Sequence, residues 1–412
     1  MRVSAAFNRM SGIEGATVIS VSQHSGVTVA TVRLRTRTHR CVCGWSTSRV
    51  YDRSVRRWRH LDAVCHQLFV QAEICRIDCP FCERVLTEVV PWARPGARHT
   101  RAFEDLVAWH AQHTDRTTVC RLLRVHWSTV TSIVERVVAD YLTPGRFDGL
   151  RRIGVDEISY SGHNYLTVVA DHDHGGRVIW VGEGKSAAVL GAFYELIGPT
   201  RCARLRAVSM DMGAAYHKAT TSHAPQARQC IDPFHLIKLA NEAINKARRA
   251  AWNHTRSPDE PRGGTPTSRR VKHTRWALLK DPDQLTGDQL DVLHQLRQDR
   301  SILYRCWQLK EGLRDLYRLD NPADAARYLD WWLAWACRSR IPVFLTLSRT
   351  VRTNRDGILA AVELGLTNSR LEGLNSKIRL INHRAYGHHS PRALTAMIYL
   401  CCAGIDQKLP HE

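Results

Sequence analysis

Two periodicities divide this chain. Thr17 to Val21 and Val27 to Leu34 alternate apolar and polar residues around Gln23-His24-Ser25-Gly26, which predicts a β-hairpin. After Pro91 and the Pro95-Gly96 break, the period becomes helical. Phe103, Leu106, Val107 and His110 share one face of a first helix, and Thr117 to Leu123 reads as a short second one. Ser128 to Leu142 reads as a third, with Val130, Ile133, Val134, Val137 and Val138 apolar. From Leu150 strands return: Arg151 to Asp156 ends in a carboxylate, and Tyr165 to Ala170 and Val178 to Val181 follow, joined through a turn at Asp171 to Gly176. A helix is predicted at Ala187 to Ile197, a strand at Leu205 to Met210 ending in Asp211, another at Arg228 to Ile231, and a helix from His235 to about Trp252. Ser257 to Ser268 is a Pro-, Gly- and Ser-rich loop. Pro282 to about Leu364 is helical again, and Trp331, Trp332 and Trp335 read as core there. A last helix from Ser369 carries Leu371, Leu374, Ile378 and Ile381.

A chain of 412 residues with 44% hydrophobic positions holds two to four domains with apolar cores. It lacks the run of about 18 apolar residues a membrane span needs. Met1 to Met10 has no apolar h-region, so the expected location is the cytoplasm. The excess of 59 Lys and Arg over 39 Asp and Glu gives +20, which points to a polyanionic partner, nucleic acid first. Thirteen cysteines, an odd number, argue against a disulfide framework. Cys41-Val-Cys43 and Cys79-Pro-Phe-Cys82 form two turn-like pairs that suit tetrahedral Zn²⁺, although one residue between the first two is tighter than usual. His39, Cys65 and Cys75 are reserve ligands; the same four thiols also read as buried free cysteines, and the remaining cysteines read as core. The three helices have helix-turn-helix lengths, with Ser128 or Thr129 as cap of the third. His126, Trp127, Ser128 and Thr131 would then face DNA, and Arg116, Arg121 and Arg124 its phosphates. The same pattern fits an ordinary three-helix packing unit.

Asp156 and Asp211 each follow an apolar strand. On neighbouring strands they would emerge together, and a carboxylate from a helix, Glu372, would complete a site for two Mg²⁺ (or Mn²⁺) ions. Strand-end turn acids explain the first two equally, and Ser369-x-x-Glu372 is also a capping box.

These residues resemble the DDE transposases of the ISL-three insertion-sequence family. Gly154-Val-Asp-Glu-Ile158 with Tyr165 to Asp171, Val208-Ser-Met-Asp-Met212 with Ala215-Tyr216, and Asp232-Pro-Phe-His235 to Asn241 are similar to successive family blocks. Thr367 to Arg379 with Arg384-Ala-Tyr-Gly387 resembles the last. The resemblance implies an α/β multidomain fold: a ribonuclease-H-like mixed-sheet core with an all-α insertion, preceded by a zinc-ribbon and a helix-turn-helix. The implied boundaries are 1–95 zinc-ribbon, 96–148 helix-turn-helix, 149–251 core, 252–365 helical insertion, and 366–412 the core's last helices. Asp156, Asp211 and Glu372 become the metal-binding triad, with Asp156 bridging both ions. Asp232 and His235 become an Asp-x-x-His element that touches DNA or buttresses the sheet. Arg379, Arg384 and the basic stretch 246–275 would follow DNA phosphates. The expected partners are the element's terminal inverted repeats, target DNA and a second copy of the chain. The rival reading is an inert, repressor-like DNA-binding protein.

Overall fold

The structure is a computed structural model and describes residues 3–254, 271–319, 321–367, 369–385 and 390–410. It divides into two compact units: Met1–Pro144 with Ile381–Glu412, and Gly145–Leu380. The predicted loop 257–268 and much of the basic stretch 246–275 lie outside the described residues.

In the first unit, helix α1 (Val3–Met10) precedes a five-stranded sheet built from β1 (Ala16–His24), β2 (Val27–Leu34), β5 (Asp52–Arg59), β6 (Gln67–Cys79) and β7 (Arg84–Thr87). A small ribbon, β3 (His39–Arg40) with β4 (Ser46–Thr47), stands apart. The sheet order is β1-β2-β6-β5, with β7 also on β6. The β1–β2 hairpin turns through Ser25 and Gly26, both at positive φ. Alternation buries Ala30, Val32, Val70 and Ile74 with Trp58 and Trp92, whose rings meet edge to face at 5.6 Å.

Helices α2 (Arg101–His113), α3 (Arg116–Leu123) and α4 (Trp127–Tyr141) follow. Thr100 caps α2 and Asp115 caps α3. The cap of α4 is His126, whose ring Nδ1 accepts from Ser128 N–H; Ser128 and Thr129 lie inside the helix, two and three residues past the cap position. Arg124 makes the turn between α3 and α4 in the left-handed region. The buried face of α2 is Phe103, Glu104, Val107, Ala108 and Ala111, with Leu106 and His110 only half-buried. Glu104 is fully enclosed because Arg94 and Arg136 bracket its carboxylate at 3.2 and 2.6 Å.

The second unit is built on a mixed sheet of β8 (Arg152–Ser161), β9 (Asn164–Asp171), β10 (Arg177–Glu183), β11 (Ala207–Met210) and β12 (Arg228–Ile231), in the order β10-β9-β8-β11-β12. Strands β8, β9 and β10 are antiparallel neighbours, whereas β11 runs parallel to both β8 and β12. Ile153, Val155, Val208 and Met210 point to one face, where α5 (Ala187–Ile197) and α7 (Ala214–His223) cover them; α6 (Pro199–Cys202) is a short turn between.

The opposite face is closed by helices after the sheet. Following α8 (Pro233–His254) come α9 (Arg275–Leu279), α10 (Gly287–Gln298), α11 (Ile302–Leu316), α12 (Pro322–Arg338), α13 (Pro342–Thr353) and α14 (Arg355–Leu364). The last of these packs Ala360 and Ala361 on Ala207 and Cys230. It comes so close that a Cβ on Gly357 would stand 2.9 Å from Ile231 and 3.1 Å from the Gln229 carbonyl oxygen. The end of the predicted insertion, 252–365, is thus part of the sheet's own packing. Trp332 is fully buried, with its indole N–H donating to Leu309 O, but Trp331 is 51% exposed. One residue along a helix is a turn of about 100°, so the two neighbours cannot share a face. Helix α15 (Ser369–Arg384) follows, and α16 (Pro391–Cys402), back in the first unit, packs on α4 and α2. The remaining cysteines divide: Cys202, Cys230, Cys306 and Cys402 are buried, while Cys120, Cys337 and Cys401 are only partly so.

Within the helical body, Lys310 is completely enclosed. Its ammonium donates to the Leu278, Leu279 and Lys280 carbonyls at 2.8, 3.3 and 3.1 Å and pairs with Glu311. Replacing Lys310 by Met removes a partner that these buried acceptors need. The variant is expected to lose about 3–5 kcal/mol of stability, read as a lower unfolding midpoint in urea; an unchanged midpoint would show that water replaces the ammonium.

Candidate functional site

The acidic site begins with strand register. Ala207, Val208 and Ser209 of β11 pair with Arg152, Ile153 and Gly154 of β8 in parallel. Continuing that register by two residues brings Asp211 alongside Asp156. Both are on the face away from α5 and α7, because they keep the parity of Ala207 and Gly154. Asp156 does not end its strand as the sequence suggested. β8 continues to Ser161 because Glu157 to Ser161 hydrogen-bond with β9, so Asp156 sits mid-strand and is buried. Asp211 does follow its strand, at the half-buried start of the turn into α7.

Each carboxylate has defined holders. Asp156 Oδ1 accepts from Glu157 N–H at 2.8 Å, and Oδ2 accepts from the buried amide Nδ2 of Asn375 at 2.5 Å. Asp211 Oδ1 accepts from Gly213 N–H at 2.8 Å, and a Cβ on Gly213 would lie equally close to that oxygen, so any larger residue there would displace the carboxylate. Asp232 opens α8, with its Oδ1 3.4 Å from Phe234 N–H. One turn later His235 places Nε2 3.8 Å from both Asp156 Oδ1 and Asp232 Oδ2. Glu372 lies in the first turn of α15. The side chain of Ser369, the proposed capping partner, is outside the described residues.

Electrostatics ties these groups together. Burial, then the charge of Asp211, raises the Asp156 carboxyl, against the opposing pull of His235 and the hydrogen bonds from Glu157 and Asn375. Burial raises Glu157, and Asp211 and Asp156 add to it. Burial raises Glu372, with Asp232 and Asp156 adding and His235 and Arg379 opposing. The triad's oxygens nevertheless do not close on one point. Among the described residues, sets of three or more His, Cys, Asp or Glu ligand atoms mutually within 4.8 Å occur twice, and both are in the first unit. Sequence reasoning missed Glu157, Gly213 and Asn375. Asn375 was findable in part, since three residues after Glu372 it occupies the same helix face.

The larger set in the first unit is Cys41, Cys43, Cys79 and Cys82. The β3–β4 ribbon presents the first two and the β6–β7 hairpin the others. Sulfurs stand 3.8 Å apart for Cys41–Cys82 and 3.6 Å for Cys43–Cys79, close to the roughly 3.8 Å edge of a tetrahedron with Zn–S bonds of about 2.3 Å. The short spacing does not prevent this: Cys41 O accepts from Gly44 N–H, and Gly44 takes φ +94° to close the turn. Burial and neighbouring thiols push Cys82 up to about 12. Burial also acts upward on Cys79, yet backbone N–H groups and thiols outweigh it and draw that thiol to about 7. A Cys₄ cluster of this geometry is compatible with zinc. Of the reserve ligands, His39 and Cys75 join Glu88 in the second, separate set, and Cys65 is exposed elsewhere.

In the helix-turn-helix, Arg121 and Ser128 are exposed, and Thr131 is half-buried. Arg116 stacks its guanidinium 5.2 Å from the Trp127 ring, and Arg124 pairs with Asp62. Both cations are therefore engaged within the protein. Arg379 is exposed and Arg384 half-buried.

A capped helix-turn-helix in the same chain as a sheet-borne cluster of acids is the plan of a protein that acts on DNA. Comparison with known families agrees. A family described as transposase matches residues 153–398, and the helix-turn-helix domain of transposase family ISL3 matches residues 88–138. The chain is 41% identical over 387 residues to the transposase for insertion sequence element IS1557 of Mycobacterium tuberculosis, covering 89% of this chain and 86% of that one. It is 29% identical over 348 residues to the transposase for insertion sequence element IS1001 of Bordetella parapertussis, covering 84% of each. The chain belongs to the ISL3 family of DDE transposases. No helix among the described residues is long and apolar enough to cross a membrane.

Asn375 donates the hydrogen bond that favours ionised Asp156. In Asn375→Ala the Asp156 carboxyl is expected to titrate at higher pH than in the parent, followed by carboxyl ¹³C NMR in metal-free protein. An unmoved titration would remove Asn375 from the site.

Proposed function

We propose that the chain is an insertion-sequence transposase that binds the terminal inverted repeats of its element and catalyses cleavage and strand transfer at its ends in the cytoplasm. The observation that carries this reading is the shared register of Asp156 and Asp211 beside Glu372, where burial and neighbouring carboxylates raise the carboxyls of Asp156 and Glu372. The strand order, antiparallel on one side of β8 and parallel on the other, supports a ribonuclease-H-like core. The reaction is two phosphoryl transfers. A water oxygen attacks phosphorus at the element end, and the P–O3′ bond breaks to leave a 3′-hydroxyl. That hydroxyl then attacks a target phosphodiester, and the target's own O3′ leaves.

The donor set fits a hard divalent cation. Its groups are carboxylate oxygens, those of Asp156 and Glu372 held toward protonation by burial and neighbouring carboxylates, and Asn375 Oδ1 is buried with no hydrogen-bond partner among the described residues. Asp156, Asp211 and Glu372 would hold Mg²⁺ or Mn²⁺, which supplies activation of the attacking oxygen and charge stabilisation of the leaving one. Asn375 and the Glu157 N–H orient Asp156, and Gly213 keeps Asp211 turned back over its own loop. His235, between Asp156 and Asp232, offsets negative charge and lies beside the site where the scissile phosphate would come. Residues 1–148 are the reading module, stapled by Zn²⁺ on Cys41, Cys43, Cys79 and Cys82; Arg121, Ser128 and Thr131 are its DNA contacts, with Arg116, Arg124 and Trp127 supporting them. Arg379 and Arg384 extend the phosphate contacts. Joining two ends calls for at least a dimer.

Two experiments test this. Asp156→Asn should abolish metal-dependent cleavage of an end-containing oligonucleotide, by at least about 10²–10³-fold. It should also raise the metal-free melting temperature at neutral pH. A raised folded-state carboxyl binds more protons than the unfolded chain does, so its ionisation lowers stability as pH rises, and the amide removes that penalty. Retained cleavage overturns the assignment, and end binding without Mg²⁺-dependent nicking by the parent returns the repressor reading. Second, Cys79→Ser should reduce zinc from about one per chain to near none and lower the unfolding midpoint, because structural zinc contributes folding energy directly. Full zinc content in that variant would place the ion elsewhere.

A further inference from the structure

The N-terminal sheet is not closed along its length. β2 pairs with β6 in parallel only from Val27↔Gln67 to Thr31↔Gln71. Beyond that point each strand keeps its other neighbour: β2 stays on β1 as far as Ala16↔Leu34, and β6 stays on β5 as far as Asp52↔Arg76. The two halves part, and a cleft of about 720 Å³ opens between them. Its rim carries Arg33, Arg35 and Arg37 from the β2 side and Arg53 from the β5 side.

The charge balance in this cleft is uneven. Arg53 is paired with Glu73 at 3.3 Å. The buried Glu88 carboxylate is occupied by His39 Nδ1 at 2.7 Å and by the Cys75 N–H at 2.6 Å. Arg33, Arg35 and Arg37 are exposed and, among the described residues, have no carboxylate partner; the hydrogen bond of Arg35 to Thr17 Oγ1 is long, at 3.4 Å. Arg33 stands near the end of β2, and Arg35 and Arg37 follow in the segment that leaves the strand; all three line the same cleft. Three exposed guanidiniums without a carboxylate partner among the described residues, on one lip of an open cleft, are free to donate to phosphodiester oxygens.

We infer that this cleft is a second DNA-binding site, separate from the helix-turn-helix, which grips the phosphodiester backbone of duplex DNA through Arg33, Arg35 and Arg37. This rests on the transposase reading for its partner but not for its measurement. The test uses the full chain with two duplexes of equal length, one carrying an element end and one unrelated. Affinity is measured by fluorescence anisotropy across a salt series for the parent and R33A/R35A/R37A. The alanine variant should weaken both duplexes alike, and its log–log salt slope should be shallower by about 0.9 per lost contact, up to about 2.7. R33K/R35K/R37K should restore the slope, and zinc content and melting should match the parent. Should the triple alanine variant melt early, each single substitution carries the test, at about 0.9 apiece. A slope unchanged on both duplexes overturns the site, and weakening confined to the end-bearing duplex overturns its class, since that is base readout. If the parent shows no preference for the element end, the transposase reading fails there, while the unrelated duplex still decides the cleft.

Discussion

The parallel pairing of β11 with β8 is the constraint on which the rest hangs. Three residue pairs fix it, and they align two aspartates separated by 54 intervening positions of chain. A slip of one residue would turn Asp211 to the face already filled by α5 and α7, where Val208 and Met210 now pack. Every other member of the site is placed relative to that pair. β12 lies on the far side of β11, so α8 must start at the same edge and bring Asp232 and His235 with it. The close seat of α14, possible because Gly357 has no side chain, sets where the chain turns into α15 and therefore where Glu372 and Asn375 arrive.

The cluster so assembled works against stability. Burying Asp156, Glu157 and Glu372 near Asp211 and Asp232 raises three carboxyls at once, which a fold optimised for stability alone would avoid. What the protein supplies in return is partial: one amide, backbone N–H groups, one histidine at 3.8 Å, and the charges of Lys185 and Arg379 acting on Glu157 and Glu372. On the proposed reading, the residual repulsion is what a multivalent cation would relieve. It also accounts for oxygens that stand near one another without closing on a point, since nothing in the protein alone draws them together.

Much of this was legible in the chain. Alternation marked β1, β2 and β9, the helical period marked α2 to α5, and the blocks around Asp156, Asp211 and Glu372 named the candidate site. What escaped did so for identifiable reasons. Asp156 reads as a strand end because a carboxylate there suits a turn, whereas the partner that carries the strand on through Ser161, β9, is supplied by the following segment. The Cys41-Val-Cys43 spacing looked too tight because ligand geometry depends on how a turn closes, here through Gly44, and not on a residue count. Periodicity says which residues share a helix face but not what lies across from it, so Asn375 could not be matched to Asp156. The cap of α4 went to a histidine ring, an acceptor that side-chain preferences rank low.

The excess of +20 is also not spread as a uniform coat. Arg94 and Arg136 are consumed by Glu104, Arg124 by Asp62, and Arg116 by the face of Trp127, so the helix-turn-helix spends most of its own arginines on holding its shape. A cation already bonded to a carboxylate brings little new attraction to a phosphate, because it must first give up a partner. The charge available to a polyanion is thus the unpaired fraction, and in the first unit part of that fraction stands on the lip where β2 leaves β6. The proposed reading and gripping of DNA thus fall to different elements of one unit: helices with few unpaired cations for the first, and the end of β2 and the segment after it, with unbalanced ones, for the second.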